Sequence, residues 1–457
     1  MVGVAGIILS LLLLMFLAWR GASVLVVAPV CVLVAVSADG GTPLLASYTQ
    51  IFMPGVGQFI SRFFPLFLLG AIFGSQMQRS GAARRIALVL ADRFGSGQAI
   101  SAVVLTCALL TAGGVSLFVV VFAVFPIADF LFRRAAIPRR LIPAAIALGS
   151  FTFTMTALPG SVQLPNLIPM PYFRTTPWAA PIVGVIASLG MLGLGLTWLR
   201  FRATAARIAG EGYGGGEEPV ESEVAAELPS VPAAFAPVLA VVFANLVLSL
   251  WILPRMDAGY LEEVRFGRTS LDRVLGTWSA ILSLLTAVSL AGVLYSGSVK
   301  RLNQSLTEGA QASLLPVFNT AVEYGYGTTI AALSGFVAIR DWLGTLSAGS
   351  PLISEAVAVN VLAGVAGSAS GGLSIALESL GAGWMQQGSL SGCDPELLHR
   401  VASLSCGGLD SLPHNGAVIT LLLICRSTHR ESYGDIAVVS VLIPLLVTAL
   451  VVVYGVS

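Results

Sequence analysis

Asp410, Ser411, His414 and Asn415 sit within LSCGGLDSLPHNGAVIT, among Gly407, Gly408, Pro413 and Gly416, with almost wholly apolar sequence on the C-terminal side. A second polar cluster, Thr154, Thr156, Ser161, Gln163 and Asn166, surrounds Leu158-Pro159-Gly160. Glycine and proline interrupt a helical ladder and leave backbone N–H and C=O groups free. Inside a bilayer such groups are tolerated only where they face protein or a watery cavity. Broken, hydroxyl-rich backbone at that depth therefore points to a place where something polar binds. The guest suited to it is a carboxylate: helix ends present free N–H groups and the positive end of a dipole. Neither motif carries a Lys or Arg, so backbone amides and hydroxyls hold an anion weakly enough to release it.

A third group, Ser368, Ser370 and Ser374, flanks Gly371-Gly372. Single Ser or Thr residues often back-bond within helices or mark close helix packing; as sets beside Gly and Pro breaks they favour ligand contact. Asn319-Thr320, in LLPVFNTAVEYGYG, reads as part of a second polar hairpin, with Tyr324 and Tyr326 as gating residues or interfacial anchors. Asp410, His414 and Glu378 are the ionisable residues nearest the breaks, and Glu323 is a further acid between apolar runs. An ionisable group at membrane depth is a functional candidate, and histidine's ordinary pKa lies close to neutrality. Asp410, His414 and Glu378 are thus the candidates for a coupling proton. Asp410 alternatively caps a helix, and Glu378 alternatively reaches a loop near Gly381 and Gly383. His399 and His429, beside Arg400 and Arg430, read as interfacial.

The composition says what must position these groups. Of 457 residues, 56% are hydrophobic and 10% charged, with mean hydropathy +0.89; soluble domains carry roughly 25% charged residues. A polytopic α-helical membrane protein is expected, with on the order of 11 to 13 spans at ~20 residues each. Apolar runs fall near 3–19, 22–37, 60–78, 99–132 (interrupted at Thr111-Ala112-Gly113-Gly114), 141–157, 178–199, 233–253, 278–296, 310–340, 355–390, 396–428 and 435–455. A polar stretch at 39–58 separates the second and third. Residues 201–232, rich in Glu and Gly, divide the chain into 1–200 and 233–457. Basic residues at Arg20, Arg79–Arg93, Arg133–Arg140 and Arg200–Arg207 put this linker in the cytoplasm. The N-terminal apolar run lacks the basic start of a signal peptide and reads as a retained span.

Other classes are disfavoured. A net charge of +1 gives no basic patch for nucleic acid. The five cysteines show no CxxC spacing and imply neither metal nor disulfides. No P-loop, HExxH or convincing GxSxG is present, and no stretch has the composition of a nucleotide domain.

The two halves resemble each other. Gly113-Gly114-Val115-Ser116-Leu117 corresponds to Gly371-Gly372-Leu373-Ser374-Ile375, Ile137-Pro138 to Asp394-Pro395, and Ala157-Leu158-Pro159-Gly160 to Ser411-Leu412-Pro413-His414, in order and at near-constant spacing. Paired interruptions at corresponding positions of two halves point to a transporter binding site.

At TMTALPGSVQLPNLIPMPYFRTTPWAAPIVG and LHRVASLSCGGLDSLPHNGAVITLLLICRSTHRESYGDI, and again at Gly367-Ser368-Ala369-Ser370-Gly371-Gly372 and LLPVFNTAVEYGYGTTIAAL, the sequence resembles the gluconate/proton symporter permeases. It most resembles their D-β-hydroxybutyrate permease branch, within a wider superfamily of ion-coupled transporters. The resemblance covers most of the chain outside 201–232. It implies a transporter, not an enzyme, moving a small hydroxy-monocarboxylate (3-hydroxybutyrate or gluconate class) across the bacterial inner membrane. The implied coupling ion is H+, with Na+ or a passive channel as alternatives, and no cofactor or metal is implied. It also implies two inverted repeats with re-entrant hairpins and unwound helices, a scaffold and an elevator-type transport domain, and a homodimer. Carried onto this chain, Pro159-Gly160 and Pro413-His414 are the unwound points and Asn319-Thr320 a hairpin tip. Glu323 stands where the family pattern leads one to expect a small apolar residue. The expected substrate contacts are Thr156, Pro159, Gly160, Ser161, Asn166, Asn319, Thr320, Ser368, Ser370, Gly371, His414 and Asn415.

Overall fold

A computed structural model describes residues 2–20, 22–94, 98–115, 117–214, 228–295, 299–338, 350–413 and 415–456. Every regular element among them is helical. In chain order the helices are α1 Val2–Trp19, α2 Val24–Asp39, α3 Leu44–Arg79, α4 Ala82–Phe94, α5 Ala99–Ala112, α6 Leu117–Arg134, α7 Ile142–Ser150 and α8 Pro181–Ile208. After residues 209–230 come α9 Val231–Arg255, α10 Leu271–Tyr295, α11 Val299–Ala332, α12 Pro351–Ala366, α13 Ala369–Ser391, α14 Pro395–Cys406, α15 Gly416–Ile424 and α16 His429–Val456. Among the described residues 5 helices, α3, α8, α9, α10 and α16, are long and apolar enough to cross a membrane. This is fewer than the apolar runs suggested, because glycine and proline split several runs into shorter helices. The polar stretch expected at 39–58 is also mostly helix: α3 begins at Leu44 and passes through a π turn at Tyr48–Phe52 just before Pro54.

The two halves repeat one order of elements. A helical hairpin (α5–α6, then α12–α13) leads into a short helix (α7, then α14), and that helix leads into a non-helical break. The second hairpin shows how sequence sets the turn. Pro351 sits at the first turn of α12, where a missing N–H is harmless. Gly367 ends α12 in the left-handed region at φ 63, and the Ser368 side chain then caps α13 by accepting from the Gly371 N–H. In the first hairpin Gly114 makes the turn with φ 89. Ser116, part of the expected repeat, lies outside the described residues.

The α12–α13 arms cross so closely that a Cβ on Gly372 lies 2.2 Å from the backbone N and Cα of Ala363. Backbone cannot give way there. Gly372→Ala is expected to cost about 1–3 kcal/mol or more, seen as a lower melting temperature in detergent. Gly383→Ala, with nothing within 4 Å, is expected to leave it unchanged or slightly raised; equal effects of the two would refute this crossing.

The short helices α7 and α14 are the best-buried elements: every residue of α7 is buried, as is α14 from Leu398 to Cys406. The longest pair, α3 and α11, runs antiparallel. Gly55 meets Gly325 and Thr328, Gly309 meets Ile72, and Arg79 pairs with Glu308 at 2.5 Å. Small residues at such crossings let apolar helices approach closely.

This crossing corrects the reading of Asn319-Thr320. They lie inside the continuous α11 rather than at a hairpin tip. Thr320 Oγ1 bonds back to the Pro316 carbonyl at 3.1 Å, and Gly325 and Gly327 serve helix contact rather than a turn. Tyr324 and Tyr326 are buried at 1% and 0% exposure, so neither is an interfacial anchor. Tyr326 pairs with Ser10 at 2.6 Å.

At one end of the molecule α8 continues to Ile208. There Arg140 binds Glu211 at 2.8 Å, and Asp435 receives Arg140 at 3.2 Å and Arg202 at 2.7 Å. Residues 215–227 of the expected linker lie outside the described residues.

Candidate functional site

The chain leaves regular helix at both motifs. After α7, single turns at Phe153–Thr156, Leu164–Leu167 and Met170–Phe173 alternate with irregular backbone, and Gly160 takes φ 76 with its Cα against the Trp178 ring. After α14, residues 407–413 form turns and bends before α15. His414 lies outside the described residues.

The breaks meet at their beginnings. Ser403 Oγ donates to the Thr156 carbonyl at 2.6 Å, and a Cβ on Gly407 would lie 2.7 Å from Thr156 Cγ2. The prolines lead away from this junction. Pro159 packs beside Gly184, while the Pro413 carbonyl is bonded to His429 at 2.9 Å.

Each break is latched to the hairpin of its own half in the same manner. Gln163 Nε2 donates to the Thr111 carbonyl at the end of α5, at 2.6 Å. Asn415 Nδ2 donates to the Gly367 carbonyl at the end of α12, at 2.7 Å. The other end of the Asn415 amide caps α15 by accepting from Ala417 N at 2.6 Å and Val418 N at 3.0 Å. One short polar side chain thus ties apex, break and the next helix together.

Several of the expected contact residues spend their polar groups on shaping the breaks. Thr156 Oγ1 bonds Thr152 O at 3.1 Å, Ser161 Oγ bonds Thr154 O at 2.7 Å, and Asn166 Nδ2 bonds Ser161 O and Pro177 O, each at 2.8 Å. Ser370 lies beside Ser368 with Oγ atoms 3.4 Å apart, and its carbonyl accepts from Ser374. Asn319 is half-buried in α11, with Oδ1 lacking a partner. Asp410 is buried, and its Oδ1 accepts from Ser411 Oγ at 3.0 Å.

Glu378 is not in a loop but within α13. Its Oε2 accepts from Tyr172 Oη at 3.0 Å and from the Tyr324 hydroxyl. Glu323 approaches the start of the same helix: a Cβ on Gly371 would lie 1.8 Å from Glu323 Oε2. That contact explains why glycine stands at 371 opposite an acid.

His399 and Arg400 are the largest departure from the sequence reading. Both are completely buried rather than interfacial. His399 Nδ1 pairs with Thr175 Oγ1 at 2.6 Å. The Arg400 guanidinium donates to Ala179 O at 2.6 and 3.2 Å and to Asn166 Oδ1 at 3.0 Å. A cation from the second half therefore pins the segment that follows the first break. Burying a charge is costly unless it is hydrogen-bonded, and these three bonds supply that compensation.

Four buried oxygens near the junction have no partner among the described residues: Thr111 Oγ1, Ser405 Oγ, Asn360 Oδ1 and Glu323 Oε2. Each is one contact from a break or an apex. The Thr111 carbonyl holds the Gln163 latch, Ser405 lies between Ser403 and Gly407, Asn360 Oδ1 is 1.9 Å from where a Gly408 Cβ would be, and Glu323 abuts Gly371. Buried polar atoms are ordinarily bonded, so this set can receive a polar guest. Of these, the sequence pointed to Glu323 as an acid at membrane depth and to Thr111 at an interruption, whereas Asn360 was only an isolated polar residue in an apolar run. No group of His, Cys, Asp and Glu suited to a metal ion occurs among the described residues.

A sequence profile of the GntP family permeases matches residues 1–253. The transporter YxjC of Bacillus subtilis (strain 168), described as uncharacterized, is 41% identical over 465 residues, covering 99% of this chain and 98% of that protein. Among solved structures, the Alcanivorax borkumensis YdaH transporter superposes with a TM-score of 0.58 at 17% identity, covering 87% of each chain. Neisseria gonorrhoeae MtrF, reported within a class of antimetabolite efflux pumps, superposes with a TM-score of 0.54 at 13% identity, covering 94% of each chain. At these identities the two structures share a fold with this chain.

Proposed function

The chain belongs to the GntP family of permeases, and on that footing we propose that it is a proton-coupled symporter of a small hydroxy-monocarboxylate, of the 3-hydroxybutyrate or gluconate class. It is a multi-pass membrane protein and not an enzyme; its place is the bacterial plasma membrane, as befits a relative from Bacillus. One observation carries the reading. Two polar breaks from opposite halves touch at Thr156 and Gly407, amid buried oxygens that lack partners.

In this reading the substrate lies at that junction. The breaks around Pro159-Gly160-Ser161 and Pro413-His414-Asn415, with Ser368, Ser370 and Gly371 at the second apex, supply amides and hydroxyls to its carboxylate and hydroxyl groups. Thr156 and Asn166 shape the first wall. Asn319 and Thr320 act from α11, without a hairpin. The coupling proton is carried by Asp410, His414 or Glu378. Residues 1–200 and 233–457 are inverted repeats joined by a cytoplasmic linker. The hairpins α5–α6 and α12–α13 are re-entrant and move with the breaks against a scaffold in an elevator-type homodimer. The repeated order of hairpin, short helix and break, with its paired Gln163 and Asn415 latches, supports that arrangement.

The test is uptake of labelled 3-hydroxybutyrate and gluconate by proteoliposomes of the purified chain. Uphill accumulation is expected under an inward pH gradient, collapsing when a protonophore removes it. Accumulation that follows a sodium gradient instead would reassign the coupling ion, and strictly downhill flux would make the protein a facilitator.

A further inference from the structure

A cavity of about 410 Å³ lies between α3 and α10, with Pro171 of the 170–173 turn in its wall. Its polar lining is Ser61, Arg62, Thr269, Arg273 and Thr277, with Trp278 beside them. No carboxylate lines it, and neither arginine has an ion-pair partner among the described residues. Two guanidiniums with three hydroxyls are a donor set for an oxyanion, since arginine matches carboxylates in a planar fork. The volume falls in the usual range for small-molecule sites, roughly 300–1,000 Å³.

The fold fixes which way the cavity faces. Tyr295, at the end of α10, donates to the Ala233 carbonyl at 2.6 Å, so that end lies with the chain emerging from the linker. Arg273 is at the opposite end of α10. Arg79 pairs with Glu308 near the linker end, and Arg62 lies about 26 Å further along α3 at 1.5 Å per residue. Arg133, Arg139, Arg140, Arg200 and Arg202 gather at the linker face, which the positive-inside rule makes cytoplasmic. The cavity therefore opens toward the outside. Arg62 connects it by contact to one coupling candidate: its guanidinium lies 5.8 Å from the Tyr172 ring centre, and Tyr172 Oη is bonded to Glu378.

We infer that this cavity is an outer capture site for the carboxylate of the transported acid, held on Arg62 and Arg273 before it passes inward by Tyr172. The inference rests on the reading of the protein as a carboxylate transporter. An anionic lipid headgroup presents related oxyanion chemistry, so the test separates the two.

The full chain is placed in phosphatidylcholine nanodiscs, and iodide quenching of the Trp278 fraction is taken as the difference between the native chain and Trp278→Phe. Gluconate is expected to compete with iodide, and Arg62→Gln/Arg273→Gln to weaken quenching about tenfold, the lower end of electrostatic focusing effects. The single variant Arg273→Gln, at an exposed position, guards against misfolding and is expected to weaken it in the same direction. In proteoliposomes the double variant is expected to raise KM with little change in kcat. Quenching that is unchanged in both variants, or competition by phosphatidylglycerol and not by gluconate, would overturn the capture site. Gluconate competition without uptake of any carboxylate would leave the capture site standing and remove the transport reading.

Discussion

Replacing Arg400 by methionine is expected to abolish uptake and to lower the melting temperature of the detergent-solubilised protein. The guanidinium is wholly buried and holds the Ala179 carbonyl and Asn166 Oδ1. Hydrogen bonds to a charged group contribute about 1.5–3 kcal/mol. Loss at the upper end corresponds to roughly 100-fold in an equilibrium constant. The loss falls on the segment after the first break, because Asn166 also bridges the Ser161 and Pro177 carbonyls. Arg400→Lys keeps the charge but not the planar fork, so it is expected to recover stability in part and uptake poorly. Near-native uptake by Arg400→Met would detach this residue from the site.

The latches give the second large effect. Asn415→Asp preserves the oxygen that caps α15 and removes the donor to Gly367 O. Gln163→Glu likewise keeps size and loses the donor to Thr111 O. A buried carbonyl left without its donor costs about 1–3 kcal/mol. Each variant is therefore expected to cut uptake by roughly tenfold or more, at about 1.4 kcal/mol per tenfold. Asn415→Ala also loses the cap, typically about 0.5–2 kcal/mol, and is expected to melt lower than Asn415→Asp. Initial uptake rates and melting curves on the same preparations separate the two roles. If only one latch matters to uptake, the functional equivalence of the halves fails.

The sequence exposed those features whose cause is local. Gly114 marks a hairpin turn because glycine adopts φ 89 without strain; the second turn falls at Gly367, at φ 63, and not at Gly371-Gly372, which the repeat paired with Gly113-Gly114 and which lie inside α13. Pro159 and Pro413 mark breaks for a similarly local reason. What depends on distant partners was hidden. Gly325 and Gly327 looked like turn residues, yet they admit Phe52, Val56 and Ile375 against α11; glycine's role there is set by the neighbouring helix. His399 and Arg400 looked interfacial because two cationic side chains adjoin. Asp394 and Pro395 start α14 one turn earlier, and Ala402, Ser403 and Ser405 continue it without a loop residue. Those small residues were the available sign that the helix was already inside the protein. Gln163 was visible as one polar residue among several, but nothing in the sequence revealed that its donor reaches Thr111.

The central idea is that two hydrophilic kinks, one from each half, enclose a single acidic guest. An experimental structure of the full chain with 3-hydroxybutyrate or gluconate bound tests it most directly. The expected density lies within hydrogen-bonding distance of the 156–166 segment on one side and of the 405–415 segment or the Ser368–Gly371 turn on the other. Density contacting one half alone, or lying away from both kinks, would contradict it.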